Sequence, residues 1–207
     1  MISDSKLRYK IGITLIKGIG NILAKNLIAY VGDVEAIFSE SPKKLAKIPG
    51  IGELLSAEIA QQEVLKQADK EIEFINKNGI TPIYYTDGNY PFRLKECADS
   101  PIILYVKGNT DFNTGRYIGI VGTRNATEYG KELCKNLIND LSSTQSDVCI
   151  VSGLAYGIDI CAHKAVLENN CRTFGILGHG LDRIYPATHR PTAVKMLEQG
   201  GLVTEYL

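Results

Sequence analysis

The stretch GIVGTRNATEYG, Gly119 to Gly130, decides how this chain is read. An apolar run breaks at Gly122, Thr123 and Arg124 follow, and a helix-forming segment begins. Glycine directly after a strand lets the backbone approach a ligand closely. An arginine at such a turn usually has something to hold. The same grammar recurs twice: VCIV leads into Ser152-Gly153-Leu154-Ala155-Tyr156-Gly157-Ile158-Asp159, and FGIL into Gly178-His179-Gly180-Leu181-Asp182. The strand-like runs YIGIV, VCIV, RTFGIL and GLVTEY alternate with helical TEYGKELCKNLINDLSS, GIDICAHKAVLEN and PTAVKMLEQ. That alternation predicts a parallel sheet covered by helices, an α/β domain of Rossmann-like type.

Upstream the grammar is different. LRYKIGITLIK, ILAKNLIAYV, VEAIFS and ELLSAEIAQQEVLKQADKEIEFINK repeat apolar residues at three- and four-residue spacing, so the first part reads as all helix, the last of these as one long helix. Ser41 is placed as an N-cap with Pro42 at the first helical position. The pattern apolar-Gly-Ile-Gly-helix occurs at Gly18 and Gly20 and again, 32 positions on, at Gly50 and Gly52. Two matching copies predict tandem helix-hairpin-helix-like motifs. In that motif the glycines turn the chain so that helix N-terminal amides face a phosphate; a plain tight turn between packed helices is the alternative. Lys17 and Lys47 precede the two hairpins. The boundary is placed near Asn76 to Gly79: a helical domain over 1–76, then 77–207 as the Rossmann-like domain, with 77–113 leading in through the strands ITPIYY and PIILYV. Because GLVTEYL ends on a strand, the second domain is expected to be incomplete at its C-terminus.

Among 207 residues, 44% are hydrophobic and 22% charged, the composition of an ordinary globular protein. Lys+Arg and Asp+Glu are balanced at 23 each, so a nucleic-acid site has to be a local basic patch rather than a global field. Cys97, Cys134, Cys149, Cys161 and Cys171 form no CxxC pair, which argues for reduced thiols over a disulfide framework or a zinc site. The N-terminus lacks an apolar signal core and no apolar run reaches membrane-spanning length, giving a cytoplasmic expectation and no membrane partner.

In an open parallel sheet, ligands bind beyond the carboxyl ends of the strands. The three loops there form an expected phosphate cradle. Its parts are glycine amides of Gly122, Gly153, Gly178 and Gly180, the hydroxyls of Thr123 and Ser152, and the cationic fork of Arg124. The alternative is that Arg124 pairs with Glu128 or Asp159 and ties loops together. GxGxxG, GxxxxGK[ST] and GxSxG are all absent, which counts against a dinucleotide site, an NTPase and a serine hydrolase. His163 stands four residues after Asp159 on one helix and reads as a structural pair with it. His179 is placed in a ligand-facing loop, where it can stack on a base or contact phosphate. His189 is placed in a surface segment. Three unclustered histidines make no metal site, and no cofactor is expected.

VGTR, SGLAYGIDICAH and LGHGLDRIYP, in this order, resemble the DprA/Smf family of DNA-processing proteins. TPIYYTDGNYPFRLKECADSPIILYVKGN is similar to that family's stretch leading into its sheet. The resemblance implies an extended Rossmann domain that homodimerises. It implies a non-enzymatic protein that binds single-stranded DNA and loads the RecA recombinase in natural transformation and homologous recombination. Carried over by position, the DNA pocket uses Arg124, Ser152, Gly153 and the Gly178 to Gly180 turn, with Lys164 as a further phosphate contact. Many relatives carry a basic residue where this chain has Tyr156, which can stack on a base instead. The family also continues past this chain's final strand. The enzymatic alternative is a LOG-like nucleotide phosphoribohydrolase, whose PGGxGTxxE string is missing here; a pure protein-interaction scaffold is the third reading.

Overall fold

The computed structural model describes residues 5–145 and 147–206. The chain divides into two compact units, Met1–Ile103 and Leu104–Leu207.

The first unit is built from short helices: α1 (Leu7–Leu15), α2 (Asn21–Val31), α3 (Val34–Ser39), α4 (Pro42–Leu45), α5 (Gly52–Gln61) and α6 (Val64–Asn78). They are followed by strand β1 (Thr81–Tyr84) and helix α7 (Phe92–Lys95). Ile11, Ile13, Leu27, Ile37, Leu45, Ile59 and Ile75 are wholly buried and form its core. Gly12 lets α1 lie against α6, since a Cβ there would stand 2.8 Å from Leu65 Cδ2. Ser41 and Pro42 start α4 as expected.

The long helix expected from ELLSAEIAQQEVLKQADKEIEFINK is two helices. Gln62 breaks it in the left-handed region at φ 55°, and its side-chain amide donates to the Phe38 carbonyl at 2.7 Å. The apolar period runs through the break, which is why the pattern alone hides it.

The two glycine hairpins are reciprocal. Gly18 has φ 90°, with a would-be Cβ 3.1 Å from Leu55 Cδ2; Gly50 has φ 86°, with a would-be Cβ 2.6 Å from Leu23 Cδ2. Leu23 and Leu55 are themselves 32 positions apart, so each hairpin packs on the second helix of the other copy. Gly52 is also left-handed, at φ 57°, whereas Gly20 is extended and caps α2.

The second unit carries β2 (Ile103–Gly108), β3 (Arg116–Gly119), α8 (Glu128–Thr144), β4 (Val148–Ser152), α9 (Ile158–Glu168), β5 (Arg172–Leu177), a 3-10 turn (Ala187–His189), α10 (Arg190–Gln199) and β6 (Gly200–Thr204). Its strands run in the order β2-β6-β5-β4-β3. The neighbours β3–β4, β4–β5 and β5–β6 are parallel, while β2 pairs β6 antiparallel, with Tyr105 opposite Thr204. Sequential strand order with intervening helices sets α8, α9 and α10 side by side. One core joins Cys134 and Ile138 of α8 to Ala162, Ala165 and Val166 of α9 over Val148 and Ile150. A second gathers Leu154, Leu177, Ala193, Met196 and Leu202. On the alternate side of β5, Phe174 packs on Phe112 and Tyr117. Among the described residues no helix is long and apolar enough to cross a membrane.

Candidate nucleic-acid interface

The parallel strands deliver two loops to the start of α9, and backbone contacts lock them together. Past the end of β3, the Ile120 amide donates to the Val151 carbonyl at 2.9 Å, and the Ile158 amide donates to the Thr123 carbonyl at 3.2 Å. The Ser152 hydroxyl donates to the Ile120 carbonyl at 2.7 Å. Gly122 sits directly on Ile158, with a would-be Cβ 2.5 Å from its Cγ1.

The loop after β4 is closed from inside. Asp159 Oδ2 accepts the amides of Gly153 at 3.1 Å and Ala155 at 3.4 Å. Leu154, buried and at φ 59°, turns its carbonyl to the His189 ring, which donates from Nδ1 at 2.8 Å. The expectation of a surface His189 is therefore corrected: the ring is 7% exposed, because the 3-10 turn before α10 folds back under the β4 loop. Tyr156 meets it edge-on at 4.9 Å between centroids and remains half exposed.

Asp159 and His163 are both buried on α9, and each hydrogen-bonds elsewhere. The Thr173 hydroxyl donates to the Ile150 carbonyl and so accepts from His163 Nδ1, at 2.7 Å. Burial pushes the His163 pKa down to about 4, against a smaller opposing pull from Asp159. His163 is therefore neutral at pH 7, a core histidine beneath the loops.

Above this floor lies a cleft of about 660 Å³, lined by Arg124, Asn125, Ala126, Lys131, Tyr156, Gly157, Ile160, Cys161 and Lys164. Of the residues expected from the sequence, Arg124, Tyr156 and Lys164 meet there. Glu128 is taken up by Lys131 at 2.7 Å, and Asp159 by the two amides. Both partners that would have made Arg124 a structural ion pair are thus engaged. Neither Arg124 nor Lys164 is in an ion pair among the described residues. Gly122 and Thr123 form the loop that carries Arg124, with Thr123 Oγ1 accepting the Asn125 amide at 3.1 Å. Ser152 and Gly153 lie behind the lining, their donors given to Ile120 and Asp159. Gly178, His179 and Gly180 turn the chain after β5 outside the cleft: His179 Nδ1 donates to the Gly180 carbonyl at 2.8 Å, and Thr204 donates to the His179 carbonyl at 2.8 Å.

Sequence reasoning missed Asn125, Lys131, Gly157 and Cys161. The signal for two of them was available, since Gly157 (the residue before α9), Cys161 and Lys164 stand four and three positions apart, the spacing of one helix face. Lys131 had no such signal, because only the packing of α8 on α9 brings it to the cleft.

The family model for DNA recombination-mediator protein A matches residues 81–207. The chain belongs to this family. A second model, the SAM-like helix-hairpin-helix tandem, matches residues 12–62, the region of the reciprocal glycine hairpins. The chain is 32% identical over 212 residues to Protein Smf of Synechocystis sp., covering 99% of this chain and 52% of that one. It is 39% identical over 131 residues to the DNA processing protein DprA of Bacillus subtilis, covering 63% and 43%. It thus spans about half the length of these relatives. Among solved structures, DNA processing protein A from Streptococcus pneumoniae superposes with TM-score 0.68 at 23% identity over 96% of this chain and 66% of that one, a likeness of fold. The Helicobacter pylori protein, whose structure was described for its single-stranded DNA binding mode, matches with TM-score 0.53 at 29% identity over 61% and 55%.

Proposed function

We propose that the cleft at the start of α9 binds the backbone of single-stranded DNA without catalysis, and that the protein serves DNA processing in recombination and transformation. The observation that carries this reading is the convergence of two unpaired cations, Arg124 and Lys164, with the half-exposed ring of Tyr156 in one cleft. Arg offers a planar fork to two phosphate oxygens at once, Lys a point charge, and an aromatic ring stacks on any base. The balanced overall charge confines the attraction to this patch. Family membership and the single-stranded DNA binding described for the H. pylori relative point the same way.

The test is fluorescence anisotropy of a labelled oligo-dT against this chain and Arg124→Ala at several salt concentrations. Salt-dependent binding that collapses in the variant supports the reading. Equal binding by both proteins sinks it, and the search then moves to the hairpins, where Lys17→Glu with Lys47→Glu is the corresponding variant. A duplex competitor should displace the oligonucleotide poorly, since stacking needs unpaired bases.

Loading of RecA, a homodimeric state and a cytoplasmic location belong to the same proposal and rest on the family. RecA filament assembly on single-stranded DNA, with and without the protein, and sedimentation of the whole protein test the first two.

A further inference from the structure

The cleft contains a feature that phosphate binding does not use. Cys161 lines it, partly exposed, among Arg124, Lys131 and Lys164. It is the fourth residue of α9, its amide donating to the Gly157 carbonyl at 3.2 Å, so the thiol lies within the first turn of the helix. Its sulfur donates to the Lys131 carbonyl at 3.3 Å; the ammonium groups of Lys131 and Lys135 also lie within electrostatic reach, each paired with a carboxylate, Glu128 and Glu168. Directly beneath, on α8, Cys134 is buried in the core cluster against which Cys161 packs, one turn after the Lys131 carbonyl that Cys161 contacts. Burial first, and then Cys161, push its thiol up to about 11.

The two sulfurs therefore differ in the way an exchange pair needs: one lines the cleft beside Arg124 and Lys164, the other is covered and protonated. The remaining cysteines lack this setting. Cys149 is wholly buried, with its thiol also pushed up to about 11 by burial; Cys171 turns its sulfur to the Asn169 carbonyl; Cys97 is exposed.

We propose that Cys161 is a thiol–disulfide exchange site for anionic low-molecular-weight disulfides, and that Cys134 resolves the product into a bridge between α8 and α9. In the first step the Cys161 sulfur, its proton lost to solvent, attacks one sulfur of the small disulfide. That disulfide bond breaks, a mixed disulfide forms at Cys161, and one small thiolate leaves and takes up a proton. In the second step Cys134 loses its proton and attacks the Cys161 sulfur, expelling the second small thiol. Two protein thiols are oxidised by two electrons, and the small disulfide is reduced to two thiols. The cations select the reagent: carboxylates on the disulfide are drawn to Arg124 and Lys164, which are in no ion pair among the described residues. This site does not depend on the DNA reading, because exchange is measured without nucleic acid.

The experiment uses the chain with Cys97→Ser, which removes the exposed thiol of the first unit. Glutathione disulfide is added, the reaction is quenched in acid, free thiols are alkylated, and peptides are mapped by mass without reduction. The expected order is a glutathione adduct at Cys161 followed by a Cys134–Cys161 cross-linked peptide. Cys134→Ser should stop at the adduct, and Cys161→Ser should leave Cys134 unmodified. Uncharged 2-hydroxyethyl disulfide should react about tenfold more slowly at low salt, the gap closing as salt screens the cations. Modification of Cys171 before Cys161, an adduct that never passes to Cys134, or equal rates for the charged and uncharged disulfides would each overturn the proposal. The order of modification is read with both cysteines in place, so it stands even if a serine variant folds poorly.

Discussion

Gly157 and Thr123 touch so closely that no side chain fits between them: a Cβ at 157 would lie 2.1 Å from the Thr123 carbonyl oxygen. Gly157 also stands at φ 77°, in the region L residues rarely adopt. This contact pins the loop that carries Arg124 to the start of the helix that carries Lys164. The backbone segments that carry Arg124 and Lys164 are thereby held together.

Gly157→Ala is expected to destabilise the fold by about 2 kcal/mol or more and to displace Arg124. Urea denaturation and oligo-dT anisotropy read the two effects. Gly178→Ala is the control, since a Cβ there meets nothing within 4 Å and should leave the denaturation midpoint nearly unchanged. Equal midpoints for the two variants would remove the pinning role from Gly157.

In the hairpins the same substitution should cost far more at the first glycine of one copy, Gly50, than at the second glycine of the other, Gly20. Gly50→Ala combines φ 86° with an approach of 2.6 Å to Leu23, for an expected loss of about 2 kcal/mol. Gly20→Ala meets open space on extended backbone and should cost less than about 1 kcal/mol, the poorer cap being offset by the lower entropy of the unfolded chain. Thermal unfolding of both variants checks the contrast.

Lys164→Ala should weaken oligo-dT binding and lower the slope of log K against log salt by about 0.7, the value for one phosphate contact on a single strand. Lys131→Ala should change the slope less, because Lys131 already neutralises Glu128. Anisotropy titrations at four or five salt concentrations separate the two.

Stability should fall as pH drops from about 6.5 toward 4. Unfolded His163 takes up a proton near its ordinary value of 6.5, whereas the folded, buried ring stays neutral until about 4. Unfolding therefore binds a proton in that window. The stabilisation is complete above pH 6.5 and declines by about 3 kcal/mol at pH 4. His163→Leu, whatever its stability at pH 7, should flatten this part of the curve. An unchanged slope in urea melts between pH 6.5 and 4 would assign it to other groups.

Parts of the site were legible and parts were not. Arg124 and the loop that holds Tyr156 could be named from strand–glycine–helix punctuation, because residues just past a parallel strand are bound to emerge at one end of the sheet; Lys164, within α9, was named only through the family resemblance. The punctuation rule also named Ser152 and Gly153, whose donors the structure turns inward to Ile120 and Asp159. Punctuation locates a loop but does not say which of its groups face out.

What the sequence alone determined is whatever depends on near neighbours. The alternation of strand and helix, the repeated hairpin glycines and the helix starts follow from side-chain period and backbone sterics within a few residues. Tertiary structure decided what depends on residues far apart in the chain. The break at Gln62 is completed by Phe38, the burial of His189 by Leu154, and the cleft by α8 packing on α9 to bring Lys131 and Cys134 to Cys161. β2 runs antiparallel to β6, which lies nearly a hundred positions downstream, a pairing that no pattern within either strand records. The free energy of each arrangement comes from surfaces that meet only when the chain is folded, and no local pattern records them.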